Sequence, residues 1–282
     1  MTTDNQLQNP SDTTTIQFQN ILPPNRLGQS HDSISSFLKE VNNKSNSRKS
    51  ATTTTKWKEY TLILITRAHT KQILLGLKHR GFGTGFYNGF GGKIDRSDES
   101  PEHGAVRELH EETNITGISV EVMKQNKCGM LRFTFDNDND DTGMMVHLYR
   151  IDLDHLTAAS SNIMVDASCI QGCDEITPVW FDRWEDIPFQ KMHADDSIWY
   201  PIVLGVPPGG VTLDAHVHFA AGGTDVNTIL HYYFHVRYHN NAGNDTDTDT
   251  DTITAAIKEE TTTTTTTTRS NNRYVLARTE QR

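Results

Sequence analysis

The sequence predicts one α/β domain between two polar, low-complexity tails. Three observations carry this prediction: apolar, β-rich segments begin near Trp57, a well-signalled helix follows Ser100, and both chain ends are dominated by small polar residues. Such ends cannot bury enough apolar surface to offset the entropy lost on ordering them. We therefore expect a domain over residues 56–238, with disordered segments over 1–55 and 239–282.

The central helix is predicted from its two ends. Ser100 is a good N-cap, and Pro101 at the first helical position loses no needed hydrogen bond. Asn114 tolerates the left-handed conformation common just past a helix end, so the helix should end at Thr113. Three carboxylates between these limits fall within an arc of roughly 100°: Glu108, Glu111 and Glu112. Their mutual repulsion needs an offset, which a hard divalent cation with oxygen ligands would supply.

Apolar segments on both sides of this helix predict the sheet. Segments 60–66 and 73–77 are separated by a short polar link and should form a hairpin. Ile118, Val120 and Val122 alternate, which is typical of a half-buried strand. The remaining expected elements are strands over 131–135, 144–151 and 177–181, a closing hairpin of 211–221 with 228–236, a helix over 197–204, and a short amphipathic helix over 34–41.

Composition excludes several classes of protein. The formal net charge of −10 argues against a nonspecific nucleic-acid binder, and a protein of this charge would need metal ions to handle polyphosphates. The longest apolar runs are well short of the ~20 residues of a membrane helix. Three cysteines fit a reducing compartment. We expect a cytoplasmic monomer without a nucleic-acid or membrane partner, and leave nuclear or mitochondrial location open.

The acidic helix belongs to a longer pattern of residues: Gly92, Glu99, Arg107, Glu108, Leu109, Glu111, Glu112 and Ile115. This pattern resembles the Nudix box, Gly-x5-Glu-x7-Arg-Glu-aliphatic-x-Glu-Glu-x-Gly-aliphatic. There are two departures. Six residues rather than five separate Gly92 from Glu99, which indicates a one-residue insertion, and Asn114 replaces the last glycine. The resemblance implies an α/β/α sandwich around a mixed β-sheet.

Segments outside the box resemble the branch of this family that hydrolyses oxidised purine nucleoside triphosphates. They include residues 78–83, 88–93, 195–201 and 228–230. The resemblance implies Mg²⁺-dependent hydrolysis of 8-oxo-dGTP and 2-oxo-dATP to monophosphate and pyrophosphate, by attack of water on the β-phosphorus. Such an enzyme sanitises the nucleotide pool. The alternatives are a Nudix hydrolase of dinucleoside polyphosphates or ADP-ribose, and a catalytically silent nucleotide-binding module.

The resemblance, together with side-chain chemistry, assigns roles within the site. The expected Mg²⁺ ligands are carboxylates: Glu108, Glu111, Glu112 and Glu175. Either Glu111 or Glu112 would take the proton of the attacking water, and Arg107 would orient a glutamate. Backbone at the glycine pair would approach the phosphates, with a lysine adding charge: Gly91, Gly92 and Lys93. The base site is expected at Thr61, Lys78, Phe82, Asn88, Phe133, Met144, His193, Asp195, Asp196 and Trp199.

The base site is expected to read a purine edge with polar groups. Asn88 offers both a donor and an acceptor. Asp195 and Asp196 are adjacent carboxyls that would share one proton in a closed pocket, which would let one pocket accept 8-oxoguanine and 2-oxoadenine. The alternative is that this pair merely caps the following helix. His193 stands where the family has Trp, so a stacking indole is replaced by a smaller imidazole that can also be charged. We therefore expect retained pyrophosphohydrolase activity with an altered base preference or weaker binding.

Overall fold

The fold is known from a computed structural model, which describes residues 29–31, 33–45, 55–136, 142–159, 170–220, 228–239, 263–270 and 273–280. Its strands are β1 (Gln29–Ser30), β2 (Lys56–Arg67), β3 (Gln72–Lys78), β4 (Tyr87–Asn88), β5 (Lys127–Phe135), β6 (Thr142–Asp152), β7 (Ile176–Phe181), β8 (Val211–Phe219), β9 (Ile229–Tyr238), β10 (Thr263–Ser270) and β11 (Arg273–Glu280). Its α-helices are α1 (Ile34–Ser45), α2 (Pro101–Thr113), α3 (Val120–Gln125), α4 (Leu153–Ala159) and α5 (Asp196–Leu204), with 3-10 turns at Trp184–Asp186 and Phe189–Lys191.

A mixed sheet of nine strands organises the described part of the chain. The strand order is β1-β9-β8-β5-β6-β2-β3-β4, and β7 pairs with β3 beside this path. Three neighbouring pairs run parallel, namely β2 with β6, β5 with β8, and β1 with β9, whereas the other pairs are antiparallel. The central β2–β6 pair brings Thr61 opposite His147, close to the start of the glycine-rich loop.

Two hydrophobic layers lie on opposite faces of the sheet, because side chains alternate along each strand. Leu62 and Leu64 pack in the layer that contains α5, whereas Ile63 and Ile65 pack in the layer that contains α2. All four side chains are buried. The α/β/α sandwich around a mixed sheet that the resemblance implied is therefore confirmed.

Most of the expected elements are present, and one is wrong. The hairpin of β2 with β3 is confirmed by antiparallel pairing through Ile65 and Leu74. The alternating stretch from Ile118 to Val122 is not a strand, because α3 begins at Val120. Ser119 caps this helix by accepting the Val122 N–H, and Met123 is the buried residue of the helix.

Two elements lie within the arm that the sequence predicts to be disordered over 1–55. His31 N–H donates to the backbone oxygen of Tyr232 at 2.9 Å, and β1 runs parallel to β9. Helix α1 extends the short helix expected over 34–41, and its Phe37 is only 2% exposed. The cause is a helical stripe of Ile34, Phe37 and Val41 beside the edge of β9. The rest of this arm lies outside the described residues.

The tail expected to be disordered over 239–282 contains one element pair. β10 and β11 pair antiparallel, from Thr263 opposite Glu280 to Ser270 opposite Arg273. The β-branched threonine favours extended backbone, which the compositional argument left out. Residues 240–262, 271–272 and 281–282 lie outside the described residues.

The described helices are short. α2 has 13 residues and α1 has 12, whereas a bilayer-spanning helix needs about 20 apolar residues. None of the helices in the described ranges is long and apolar enough to cross a membrane.

Candidate active site

Helix α2 carries the acidic ridge, by which we mean Glu108, Glu111 and Glu112. Its predicted ends are confirmed: Ser100 Oγ accepts the His103 N–H at 3.4 Å, and Asn114 ends the helix at a φ of 58°. Ala105 and Leu109 are buried against the sheet and anchor the helix. This packing presents the ridge to the loop that follows β4.

Arg107 ties the ridge to that loop. It donates to Asp98 through Nε at 3.2 Å and Nη2 at 2.9 Å, in a bidentate arrangement. Its Nη1 donates to Glu108 Oε1 at 2.9 Å and to Glu111 Oε2 at 3.2 Å. A further bond reaches the backbone oxygen of Lys93 at 3.3 Å. The guanidinium therefore orients two of the glutamates, the kind of role that the sequence suggested for it.

In the loop before α2, Asp98 rather than Glu99 is the hydrogen-bond partner of Arg107. The Asp98 side chain is mostly buried, whereas that of Glu99 is exposed and contacts His103 at 3.6 Å. Hydrogen bonds from Arg107 hold the pKa of Asp98 below its ordinary value. Gly104 makes room for this carboxylate, because a Cβ there would lie 3.0 Å from Asp98 Oδ2. Sequence reasoning missed Asp98, although it lies where the five-residue spacing of the box would end.

Glu112 turns inward toward the glycine pair. Its side chain is almost fully buried, with 4% of the residue exposed, and Oε2 accepts the Gly91 N–H at 2.7 Å. Burial raises the pKa of Glu112 to about 7, and the Glu108 carboxylate adds to this rise. Gly91 adopts a φ of 134°, and a Cβ there would lie 2.3 Å from the Thr61 backbone oxygen. Only glycine fits this position without strain.

Gly92 forms a cradle for Glu108. A Cβ at Gly92 would lie 2.6 Å from the Glu108 carboxyl carbon, so the backbone and the carboxylate are in direct contact. Burial raises the pKa of Glu108, against the opposing hydrogen bond from Arg107. Thr61 holds this backbone in place, because its N–H donates to the Gly92 oxygen at 2.9 Å.

The ridge suits an oxygen-binding cation. Like charge adds to the raised pKa values of two carboxyls, because Glu111 acts on Glu108 and Glu108 acts on Glu112, and Mg²⁺ prefers carboxylate oxygens. Within the described ranges, however, no three His, Cys, Asp or Glu side chains already converge as an ion-binding group. Glu111, whose side chain is 56% exposed, can rotate toward an ion, and Glu108 would have to exchange its contact with Arg107.

Glu175 and the lysines lie around this ridge. Glu175 is near enough to raise the pKa of Glu112, but Arg80 Nε and Nη2 donate to its Oε1 at 3.0 and 2.8 Å. Lys78 acts on both halves of the site, because its charge lowers the pKa values of Glu108, Glu112 and also His193. Lys93 is exposed and contributes its backbone oxygen to Arg107.

The two aspartates at the start of α5 are buried. Asp195 Oδ2 accepts the Trp199 indole N–H at 3.0 Å, and Asp196 Oδ2 accepts the His193 backbone N–H at 3.0 Å. Asp195 makes no side-chain cap bond to the helix, so the capping alternative is wrong. Burial raises the pKa of Asp195 to about 6. Burial and the neighbouring Asp195 charge raise the pKa of Asp196 further, which favours one proton on the pair.

His193 and Phe82 form the outer wall of this cluster. Their rings stack with centroids 5.1 Å apart and planes 16° apart, and Phe82 is 52% exposed. Burial lowers the pKa of His193 to about 4, and Lys78 contributes to this shift. The imidazole is therefore neutral at pH 7, so the charge that the sequence allowed for it is not present there.

Asn88 and the apolar residues are the remaining members of the expected base site. Asn88 Oδ1 accepts the Gly89 N–H at 2.8 Å, next to the loop that leads to Gly91. Trp199 is fully buried and uses its N–H on Asp195, so it supports the cluster from within. Phe133 and Met144 are register partners across β5 and β6, and both pack on the same hydrophobic layer as Trp199.

Comparison with known proteins places this geometry in a family. The NUDIX domain profile matches residues 57–202. The oxidized purine nucleoside triphosphate hydrolase of Danio rerio is 38% identical over 144 residues, which cover 51% of this chain and 78% of that protein. The enzyme of the same name from Mus musculus is 38% identical over 145 residues, with the same coverage. A bifunctional NMN adenylyltransferase/ADP ribose pyrophosphatase from Francisella tularensis is similar at 18% identity and a TM-score of 0.38, covering 61% of this chain and 46% of that one. The chain belongs to the Nudix hydrolase family.

Proposed function

We propose that the protein hydrolyses oxidised purine nucleoside triphosphates, such as 8-oxo-dGTP and 2-oxo-dATP, to the monophosphate and pyrophosphate with Mg²⁺. One observation carries the proposal: a short loop joins the two halves of the site. Asn88, where we expect the base to bind, comes three residues before Gly91, whose N–H donates to the buried Glu112 at 2.7 Å. A nucleotide with its base beside Asn88 would thus extend its phosphates toward the acidic ridge.

The phosphate end needs positive charge beyond what the side chains supply. Glu108, Glu111 and Glu112, with Glu175 at their edge, are the residues that would hold Mg²⁺. When bound, Mg²⁺ supplies charge that neutralises phosphate oxygens. The backbone at Gly92 can approach phosphate closely, because glycine carries no side chain of its own. Lys78 is close enough to Glu112 and to His193 to lower both pKa values. Its positive charge would therefore act on the phosphate end and on the base end of the substrate.

A carboxylate must take the proton from the attacking water. Glu112 is the best placed, because burial raises its pKa to about 7, near the pH at which a general base works most effectively. Arg107 acts indirectly, because its guanidinium donates hydrogen bonds to Glu108 and Glu111 rather than facing the open site. Attack of water on the β-phosphorus breaks its bond to the oxygen that bridges the α- and β-phosphates. The products are therefore a nucleoside monophosphate, which keeps that oxygen, and pyrophosphate.

The base end selects the purine by hydrogen bonding. One proton shared by Asp195 and Asp196 presents a donor and an acceptor, and these can exchange places. Such a pair accommodates bases whose donor and acceptor positions differ, as 8-oxoguanine and 2-oxoadenine do. The Phe82–His193 stack supplies an aromatic surface for the ring.

Steady-state kinetics on a substrate panel tests the proposal. The panel contains 8-oxo-dGTP, 2-oxo-dATP, dGTP, ADP-ribose and a dinucleoside polyphosphate, each with Mg²⁺ and with EDTA. We expect the highest kcat/KM for an oxidised purine triphosphate and no turnover in EDTA. Preference for ADP-ribose or the dinucleotide would assign the protein to another Nudix activity. Purine binding without turnover of any compound would make it a silent module.

A pair of variants checks that turnover depends on the two halves separately. Glu112→Gln should cut kcat at least about a hundredfold with little change in affinity for the base. Asn88→Ala should raise KM and leave kcat largely in place, because it removes binding that the substrate and transition state share. Undiminished activity in Glu112→Gln would refute the assignment of the ridge.

A further inference from the structure

Polar side chains form a bridge between the sheet and the first turn of α2, and the proposed reaction does not use them. This polar bridge consists of Glu59 on β2, Lys127 at the start of β5, His147 and Tyr149 on β6, and Glu102 on α2. His147 is only 6% exposed, and the side chain of Glu102 is 13% exposed. Polar groups at this depth destabilise a fold unless they are hydrogen-bonded, so their mutual contacts decide what the bridge does.

The contacts run without a break from β2 to α2. His147 Nε2 lies 2.9 Å from Glu59 Oε2, and its Nδ1 lies 2.9 Å from Lys127 Nζ. The same ammonium lies 3.5 Å from Glu102 Oε1, to which the Tyr149 hydroxyl donates at 2.9 Å. The centroid of the Tyr149 ring is 5.7 Å from Lys127 Nζ. His147 is therefore the link that joins Glu59 to Lys127 and, through Lys127, to the helix.

These partners fix the protonation state of His147. An ammonium group can only donate, so Nδ1 accepts from Lys127, and the ring proton lies on Nε2, which donates to Glu59. Burial lowers the pKa of His147, against the opposing hydrogen bond to Glu59, and the Lys127 charge adds to the lowering. The charged groups that face the ring are Glu59 from β2, Lys127 from β5 and Glu102 from α2. The bridge is therefore made by a neutral imidazole.

The bridge joins the two elements that hold the loop over 91–100. On β2, the Glu59 backbone oxygen accepts the Ile94 N–H at 3.1 Å, and the Thr61 N–H donates to the Gly92 oxygen at 2.9 Å. On α2, Glu102 lies in the first turn, directly after the loop ends. The loop therefore begins against the strand at one end of the bridge and enters the helix at the other.

We propose that His147 is a positioning residue for the proposed hydrolysis, because as a neutral ring it holds Lys127 against Glu102 and so sets the place of α2 relative to the glycine pair. The kinetic part of this inference rests on the proposed function. Ala105 and Leu109 anchor the middle of the helix by apolar packing, which is not directional, whereas the bridge holds its first turn by directional hydrogen bonds. His147 does not touch the substrate in this role.

The contacts that depend on this placement are close. The Gly91 N–H donates to Glu112 Oε2 at 2.7 Å, and a Cβ at Gly92 would lie 2.6 Å from the Glu108 carboxyl carbon. A shift of α2 by about 1 Å would disturb both contacts, and a displacement of this size far from the chemistry can slow a reaction about a hundredfold. The bridge thus acts on turnover through the position of two glutamates.

Two variants of His147 separate its hydrogen bonds from its volume. His147→Gln keeps an acceptor for Lys127 and a donor for Glu59, whereas His147→Leu keeps apolar volume and loses both. With 8-oxo-dGTP and Mg²⁺ at pH 8, we expect His147→Leu to lower kcat about 10- to 100-fold. KM should change less than about threefold, because the base site lies on the other face of the sheet. His147→Gln should retain kcat within about threefold of the unmodified protein.

His218→Leu is the matched control. His218 is 5% exposed, lies on β8, and its Nδ1 is 2.9 Å from Thr134 Oγ1. Its removal should lower stability in urea about as much as His147→Leu does and leave kcat unchanged. An equal loss of kcat in His147→Gln and His147→Leu would overturn the inference, and so would slower turnover in the control.

Nuclear magnetic resonance tests the inference without turnover and so separates its failure from failure of the proposed function. At pH 7 the His147 ring should carry its proton on Nε2 alone. The Gly91 amide, which donates to Glu112, should exchange with solvent about tenfold faster in His147→Leu and at an unchanged rate in His147→Gln. A proton on Nδ1, or unchanged Gly91 exchange in His147→Leu, would overturn the role of His147. Absence of turnover with the expected spectra would overturn only the proposed hydrolysis.

Discussion

The buried carboxyl of Glu112 makes a quantitative prediction about stability. Its pKa is about 7 in the folded protein, against an ordinary value of 4.5, because burial disfavours the charge. Below pH 4.5 both states carry the proton, and the group has no effect on folding. As pH rises from 4.5 to 7, the unfolded state ionises first, so folding stability falls. The loss is complete above pH 7 and amounts to about 3 kcal/mol at 1.36 kcal/mol per pKa unit.

Glu112→Gln should abolish this loss, because the amide cannot ionise and can still accept the Gly91 N–H. The difference in unfolding free energy between variant and unmodified protein should therefore shift by about 3 kcal/mol in favour of the variant between pH 4 and pH 8. Urea denaturation in EDTA at both pH values measures it. Glu111→Gln is the matched control, with a side chain that is 56% exposed, and should shift by less than about 1 kcal/mol. A pH-independent difference for Glu112→Gln would refute the reasoning.

Three further variants test separate parts of the site and fold. His193→Trp gives the Phe82 stack a larger partner and should lower KM for 8-oxo-dGTP relative to dGTP; an unchanged ratio in steady-state kinetics would mean that this position does not contact the base. Arg107→Lys cannot reach Asp98 and Glu108 together, so kcat/KM should fall about 10- to 100-fold and the Mg²⁺ concentration needed for half-maximal activity should rise; activity equal to that of the unmodified protein would contradict this. Phe37→Ala should cost about 3 kcal/mol in urea denaturation without altering kinetics, and slower turnover with intact stability would contradict a structural role for α1.

Local signals in the sequence were sufficient for the helix that carries the ridge. Ser100, Pro101 and Asn114 act within one turn of themselves, so their effect on α2 does not depend on the rest of the fold. The stretch from Ile118 to Val122 shows the limit of such reasoning. Three alternating positions fit a strand, but the cap at Ser119 and the packing of Met123 decided in favour of a helix.

The contacts that tertiary packing creates were not predictable in the same way. Arg107 selects Asp98 over Glu99 because the loop folds back beside Gly104, and a spacing rule cannot foresee that path. The Arg80–Glu175 pair joins residues far apart in sequence, and nothing local marks it.

Hydrolysis of 8-oxo-dGTP in ¹⁸O-labelled water with Mg²⁺ tests most directly whether the acidic ridge acts on the phosphate chain as we describe. The account predicts 8-oxo-dGMP and pyrophosphate as products, with one labelled oxygen in the pyrophosphate and none in the monophosphate. Label in the monophosphate, or release of orthophosphate and a nucleoside diphosphate, would contradict it.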